Sequence, residues 1–313
     1  MSVMDANFAA MIDEQAQAAK AQPAPPLDVI PPEMVRAGYR MQRQAQDQNA
    51  PKDVETFDIK VGGGAGEIPA RLYRPAGLVD PSGLLVYFHG GGFVIGDLDS
   101  HDGHCRRLAT GAACRVLAVD YRLAPEHPFP AGHDDALAAT RWAFDHASDL
   151  GVDPKRIAVG GCSAGGNLAA SVSLDLKDDP AHRIAFQLLL YPGIWPDEET
   201  QSRKDLDGPV LTREALDWFE KLLAAVGHPH AHRAMLGARD LAGAPPALVV
   251  TAGFDPLKDE GRDYAARLKA AGVKATHVEY ASMVHDFYLM ADVSPAVVTA
   301  AAETAAALKA ALA

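Results

Sequence analysis

A single serine stands among glycines in the stretch RIAVGGCSAGGNLAAS, residues 156–171. Its pentapeptide GCSAG fits the pattern G-x-S-x-G, with an apolar run before it and a helix-like run after it. We therefore expect Ser163 on a sharp strand-to-helix turn that exposes its hydroxyl, with the Ala164 N–H positioned to stabilise an oxyanion. Glycine-flanked serines also occur in phosphate-binding and purely structural turns, so the pentapeptide alone leaves those alternatives open.

A second glycine-rich segment, HGGGF at residues 89–93, directly follows the apolar run LLVYF. Consecutive glycines leave backbone N–H groups unshielded, so several of them can converge on one oxygen atom. We expect Gly91 and Gly92 to join Ala164 as donors of an oxyanion hole. A merely flexible glycine loop is the alternative, and the preceding strand and the bulky Phe93 both argue against it.

A serine hydroxyl is a weak nucleophile until a base, itself oriented by an acid, removes its proton. Asp255 lies just past the apolar run PALVVTAG, and His285 follows the strand-like run KATHVEY. Because the carboxyl ends of parallel strands meet at one edge of a sheet, both side chains are expected near Ser163. The chain order Ser, Asp, His is the order that this type of serine turn uses.

The elements that must position these residues alternate along the chain. A hairpin is predicted over residues 54–75, and short apolar runs then alternate with longer amphipathic stretches. This pattern predicts an α/β fold with eight strands in a mostly parallel sheet and helices on both faces. The long connection between the sixth and seventh strands has its own helix signal and predicts a helical cap. The expected division is an N-terminal cap segment, 1–50, a catalytic domain, 51–192 and 236–313, and a cap insertion, 193–235.

Composition restricts the partners. The 313 residues are 48% hydrophobic and carry a formal net charge of −12, which argues against binding to nucleic-acid phosphates. Neither a secretory signal nor an apolar run of about 18 residues is present, so no membrane span is expected. Three cysteines without C-x-x-C spacing, Cys105, Cys114 and Cys162, predict reduced thiols and a cytoplasmic location.

No metal site is predicted. The most suggestive cluster, His228, His230 and His232, lies in a proline-containing loop without a cysteine or an acidic partner. We expect these histidines to be exposed, since metal sites combine such ligands with fixed spacing.

Five motifs, in this order, resemble those of the bacterial hormone-sensitive-lipase-like carboxylesterases of the α/β-hydrolase fold: HGGGF (89–93), DYRLAPEHPFPA (120–131), GCSAGGNLA (161–169), DPLKDE (255–260) and HDF (285–287). The resemblance covers roughly residues 54 to 313. It implies hydrolysis of short- to medium-chain carboxylic esters without a cofactor, with a small-molecule ester as substrate and a second copy of the chain as a possible dimer partner.

The resemblance also implies roles for individual residues. Ser163 is the implied nucleophile, His285 the general base and acid, and Asp255 the orienting carboxylate, beside an oxyanion hole made by Gly91, Gly92 and Ala164. His89 is expected to brace the glycine loop. We interpret Asp120, Arg122 and Glu126 as a structural ion-pair network.

Two residues depart from the family pattern. Cys162 stands where most relatives carry Asp or Thr before the nucleophile, and a small thiol can fill that place without a charge. Asp286 stands where Gly usually follows the histidine. A carboxylate beside the base would raise the pKa of His285 and shift the activity profile toward alkaline pH.

Two questions stay open. The same constellation would serve an acyltransferase or a hydrolase of lactones, carbonates or amides, because their transition states share its requirements. A non-catalytic ligand sensor on this fold is a further alternative, disfavoured because Ser163, Asp255 and His285 are all present. Substrate choice is expected to come from the cap and from aromatic and apolar residues, among them Phe8, Met34, Tyr39, Phe93, Trp195, Trp218, Phe219 and Leu222.

Overall fold

Eight strands form one sheet at the centre of the molecule. The computed structural model describes residues 3–196, 198–225 and 227–313, with every side chain in these ranges except that of His232. The strands are β1 (Val54–Gly63), β2 (Gly66–Pro75), β3 (Ser82–Phe88), β4 (Arg115–Val119), β5 (Val152–Cys162), β6 (Phe186–Leu190), β7 (Ala247–Phe254) and β8 (Ala275–Val284). They lie side by side in the order β1-β2-β4-β3-β5-β6-β7-β8.

Strand pairing is mostly parallel. β1 and β2 form an antiparallel hairpin closed by Gly63 and Gly66, and β2 runs antiparallel to β4. All pairings from β4 to β8 are parallel. The central strands are mostly apolar and buried because a parallel sheet is covered on both faces. The predicted fold class and number of strands are therefore confirmed.

Nine helices occur in the described ranges and flank or cap the sheet. They are α1 (Ala6–Ala21), α2 (Pro32–Ala45), α3 (Asp102–Ala112), α4 (Ala131–Asp145), α5 (Ala164–Asp175), α6 (Gln201–Asp205), α7 (Arg213–Leu223), α8 (Lys258–Ala270) and α9 (Pro295–Ala311). Within the described ranges, every helix is too short or too polar to cross a membrane.

Each face of the sheet has its own hydrophobic core. Side chains alternate along a strand, so Leu84 and Val86 of β3 join one core whereas Leu85 and Tyr87 join the other. Helices α4, α5 and α8 cover the first face, and α3 and α9 cover the second. The helices on the two faces hold the sheet rigid, so its carboxyl edge is a firm support for a site.

The N-terminal segment and the 193–235 connection meet over this edge. The Leu27 N–H donates to Glu214 of α7 over 3.1 Å. The Arg36 guanidinium of α2 donates to the Val94 carbonyl over 2.7 Å and pairs with Glu126. Both segments thus lie beside the glycine loop, while the division into a catalytic domain and a cap stays a prediction.

The histidines of the 228–232 loop differ in exposure. His230 is exposed, as expected. His228 is half-buried, and its ring packs edge-on against Phe129 with centroids 5.1 Å apart, so its expected exposure was wrong. An aromatic neighbour supplied by the loop before α4 explains this burial. The side chain of His232 lies outside the described part of the chain.

Candidate active site

Ser163 occupies the turn between β5 and α5, with φ of 53° and ψ of −118°. This conformation is unusual for a residue with a side chain, and the surrounding structure holds it. The Ser163 N–H donates to the Leu190 carbonyl over 2.9 Å. A Cβ atom on Gly165 would collide with the Phe88 carbonyl oxygen, and one on Gly161 would collide with Gly165. The glycines around the serine therefore let the turn pack directly against β3.

Asp255 and His285 follow directly on the ends of β7 and β8, and their side chains meet Ser163. The distance from Ser163 Oγ to His285 Nε2 is 2.9 Å, and that from His285 Nδ1 to Asp255 Oδ2 is 2.7 Å. Asp255 Oδ1 accepts the Leu257 N–H over 2.8 Å, which fixes the carboxylate. All three side chains of the candidate triad are buried. This arrangement lets an imidazole held by a carboxylate remove a proton from the serine hydroxyl.

The electrostatic surroundings of His285 favour its protonated form. Burial lowers its pKa, but the carboxylates of Asp255 and Asp286 outweigh burial, and the net effect raises the pKa above the usual value for histidine. The Tyr191 ring packs against the imidazole with centroids 4.9 Å apart. The site therefore stabilises the positive charge that His285 gains during proton transfer.

The predicted oxyanion donors lie around the serine. Gly92 and Ala164 line the same cavity as Ser163, with Gly91 adjoining them in the glycine loop. Their three N–H groups donate to no acceptor within the ranges that the structure describes. Gly92 has φ of 59°, and a Cβ atom there would overlap the Phe219 ring. These free donors are available to an oxygen bound beside Ser163.

The glycine loop is braced from one side. The His89 ring stacks on Tyr121 with centroids 4.3 Å apart, and the Tyr121 hydroxyl donates to the His89 carbonyl over 2.9 Å. His89 Nδ1 lies 2.8 Å from the Gly90 carbonyl oxygen. The contacts of His89 thus match its expected bracing role.

The expected network of Asp120, Arg122 and Glu126 does not form. Arg122 pairs with the buried Asp135, and Glu126 pairs with Arg36 of α2. Asp120 lies 4.0 Å from His89 Nε2. The chain turns through this segment, so its charged side chains point to different partners.

The cavity beside Ser163 is small, with a volume of about 40 Å³. Phe93, Trp195 and Phe219 line it, as expected for substrate-binding residues. A second cavity of about 160 Å³ lies beyond it and shares Trp195, Arg203 and Glu220 as lining residues. Trp195 therefore stands between the two spaces.

The other pocket candidates lie outside the cavity beside Ser163. Trp218 is buried in the core, and Leu222 packs against the same core. Tyr39 reaches Asp286 instead, with its hydroxyl 3.0 Å from Oδ2. Phe8 is buried in the core on the opposite face, and Met34 is exposed.

Comparison with known families decides the relationship. The profile of a family described as "alpha/beta hydrolase fold" matches residues 85–289. The chain belongs to the α/β-hydrolases, in their hormone-sensitive-lipase-like branch. This α/β-hydrolase is 43% identical to carboxylesterase NlhH of Mycobacterium tuberculosis over 255 residues, 80% of each chain. It is 42% identical to esterase LipI of the same organism over 250 residues, 78% of each chain.

A solved structure is similar to this α/β-hydrolase over almost its whole length. An ester hydrolase from the metagenome of Lake Arreo, complexed with a derivative of bipyridine phosphonate, superposes with a TM-score of 0.92 at 38% identity. The alignment covers 98% of this chain and 99% of the other. The predicted family and fold are therefore confirmed.

Cys162 of this α/β-hydrolase is fully buried behind the serine turn. Burial raises the pKa of its thiol, so the group stays protonated and uncharged at neutral pH. All three cysteines are buried and free.

Sequence reasoning missed several residues around the site. Glu260 belongs to the motif DPLKDE, but its role was not predicted. Its buried carboxylate accepts hydrogen bonds from the N–H groups of Ile194 and Trp195 over 2.8 and 3.0 Å. Arg203 of α6 lies 2.9 Å from Glu260 and lines both cavities. Arg43 of α2 contacts Asp286. Only the motif around Glu260 carried a signal, because the other contacts join distant segments.

Proposed function

We propose that this α/β-hydrolase is a serine carboxylesterase that cleaves short- to medium-chain carboxylic esters through an acyl-enzyme on Ser163. The observation that carries the proposal is the unbroken chain of contacts from Asp255 through His285 to Ser163, at 2.7 and 2.9 Å. Two relatives that are 42% and 43% identical to this chain over 250 and 255 aligned residues are esterases. The chain is a carboxylic ester hydrolase, and the acyl-enzyme and the chain length are the finer parts of the proposal.

The reaction has two steps, acylation and deacylation of Ser163, and the His285 imidazole transfers the proton in both. Ser163 Oγ attacks the ester carbonyl carbon while its proton moves to His285 Nε2, and the free N–H groups of Gly91, Gly92 and Ala164 hold the oxyanion. Collapse breaks the ester C–O bond, and His285 donates its proton to the leaving alcohol. A water then gives a proton to His285 and attacks the acyl carbon, and the acid leaves as Ser163 regains its proton.

The size of the cavity supports a short acyl chain. At about 40 Å³ it has room for roughly three water-sized groups beside Ser163. Apolar and aromatic side chains, including Phe93, Phe219 and Leu257, form much of its wall. An acyl chain buried against these side chains loses contact with water, which favours its binding.

A serine variant tests the proposal. Ser163→Ala should lower kcat for p-nitrophenyl butyrate by at least about 10³-fold, because the nucleophile is lost. Ser173→Ala is the matched control, since Ser173 is a buried serine in α5, the helix that begins directly after Ser163. A fluorophosphonate should label the wild-type protein once, on Ser163. Equal turnover in wild type and Ser163→Ala would exclude this mechanism.

The remaining parts of the proposal concern the whole chain. We expect residues 1–50 and 193–235 to act as the cap that selects the substrate, supported by the contact of Leu27 with Glu214. A cytoplasmic location is consistent with the free, buried cysteines. Homodimer formation stays a prediction, and light scattering on the purified protein measures it directly.

A further inference from the structure

Asp286, next to the candidate base, places a second carboxylate against the working nitrogen of His285. Its backbone lies in the left-handed region, with φ of 61°. Asp286 Oδ1 is 3.7 Å from His285 Nε2, the nitrogen that also faces Ser163 Oγ. Among the described residues, this buried oxygen has no hydrogen-bond partner. A buried acceptor without a donor destabilises the folded protein, so a donor that reaches Oδ1 during the reaction would offset this cost.

The other oxygen of Asp286 is held by helix α2 of the N-terminal segment. The Tyr39 hydroxyl donates to Oδ2 over 3.0 Å, and Arg43 Nη2 donates over 3.2 Å. The guanidinium lies 4.8 Å from the centre of the Tyr39 ring and also donates to Gln46 over 3.0 Å. Arg43 is only 4% exposed, so the clamp on Asp286 is shielded from water.

Charged groups from several elements surround His285 and Asp286. Two carboxylates, Asp255 and Asp286, face His285, and the Arg43 guanidinium faces Asp286 from α2. Although burial raises the pKa of Asp286, His285 and Arg43 outweigh burial and lower it, so the group is ionised at neutral pH. The titratable and charged groups around His285 and Asp286 are Asp255, Arg43, Tyr39, Tyr191, His101 and Cys162.

We propose that Asp286 is a positioning residue for His285: its free Oδ1 shares the Nε2–H of the protonated imidazole, and helix α2 holds it there through Tyr39 and Arg43. This inference rests on the proposed roles of Ser163 and His285. After Ser163 gives up its proton, the new Nε2–H points toward the leaving group and Asp286 Oδ1 together. Asp286 takes no proton; it keeps the imidazolium oriented until the proton passes to the alcohol.

Two substitutions with opposite effects on charge test this role. His285 must be neutral to act as a base, so its pKa sets the acidic limb of kcat/KM against pH. Asp286→Asn removes a negative charge and should move this limb to lower pH. Arg43→Met removes the opposing positive charge and should move it to higher pH. In both variants kcat on the alkaline plateau should fall about tenfold or more, because the imidazole is less well held.

Conservative variants separate positioning from general damage to the fold. Arg43→Lys keeps the charge and should leave the limb near its wild-type position even if Arg43→Met fails to fold. Tyr39→Phe keeps all charges and should lower kcat without moving the limb. Arg40→Met is the matched control, since Arg40 on the same helix pairs with Asp97 instead. Its limb and kcat should both stay unchanged.

The outcomes distinguish this inference from the proposed function. If Ser163→Ala abolishes turnover while Asp286→Asn and Arg43→Met leave the acidic limb where it was, the positioning role is wrong and the esterase mechanism stands. If both variants move the limb in the same direction, a structural disturbance explains them and the inference fails. If Ser163→Ala keeps full activity, the proposed function itself fails first.

Discussion

Trp195 lines both the cavity beside Ser163 and the larger cavity beyond it. Its φ of 47° is rare for a residue with a bulky side chain, so the surrounding contacts must hold it. The Trp195 N–H donates to the buried Glu260, and the indole lies against Phe93 with ring centroids 5.9 Å apart. Trp195 is thus a firmly held side chain, and the two cavities share it together with Arg203 and Glu220.

Trp195→Ala should therefore join the two cavities, of about 40 and 160 Å³, and favour longer acyl chains. Each methylene group of the acyl chain that becomes buried contributes about 0.8 kcal/mol to binding. Burial of two or more additional methylenes should therefore raise the ratio of kcat/KM for p-nitrophenyl octanoate to that for p-nitrophenyl acetate at least tenfold. Trp142→Ala serves as a control, because Trp142 lies on α4, outside both cavities, and stacks on His146 at the end of that helix. An unchanged ratio in Trp195→Ala would remove this residue from the acyl site.

Helices α6 and α8 share a buried ion pair. Glu260, in the first turn of α8, is fully buried and contacts Arg203 of α6, which also pairs with Glu220 of α7. The same carboxylate accepts the N–H groups of Ile194 and Trp195 where the chain leaves β6. Glu260 therefore fixes the start of the 193–235 connection directly, and it contacts α6 and, through Arg203, α7.

Glu260→Ala should lower the free energy of unfolding by about 3–5 kcal/mol, because it removes one of the two carboxylates that pair with Arg203 and leaves the N–H groups of Ile194 and Trp195 without their acceptor. Urea denaturation measures this directly. Asp263→Ala, on the same helix but in an exposed pair with Arg262, should change stability little. Adding Arg203→Met to Glu260→Ala should restore part of the loss. Wild-type stability in Glu260→Ala would refute this account of the pair.

The elements were predictable because their patterns are local. A glycine-linked hairpin and six apolar runs that alternate with helical stretches identify the strands, and the motifs place Ser163, Asp255 and His285 at the carboxyl ends of β5, β7 and β8. The clamp on Asp286 was not predictable, since Arg43 lies 243 positions away and no spacing rule links them. The expected network of Asp120, Arg122 and Glu126 failed for a related reason: proximity in sequence did not reveal where each side chain points.

Across the whole molecule, several histidines are buried in neutral form. Burial lowers the pKa of His89, His101, His104 and His133, to about 3 in the last two. An unfolded histidine titrates near 6.5, so between that pH and the folded value the unfolded chain binds more protons and stability falls as pH falls. Other groups oppose this trend, since the pKa of His285 is raised and burial raises that of Asp47 to about 6.

A single substitution measures the contribution of one of these histidines, His104, to the pH dependence of stability. His104 packs between the Tyr87 and Tyr288 rings, and neither ring nitrogen has a hydrogen-bond partner among the described residues. His104→Phe keeps the aromatic packing and removes the titration. In wild type, the unfolded chain gains one proton at His104 between about pH 7.5 and pH 5, and the folded protein does not. The decrease in unfolding free energy over this interval should therefore be about 2 kcal/mol smaller in His104→Phe than in wild type. His127→Gln, at an exposed position, should leave the pH dependence unchanged. Identical pH dependence in His104→Phe and wild type would show that His104 takes up its proton at the same pH in the folded and unfolded states, in conflict with its burial.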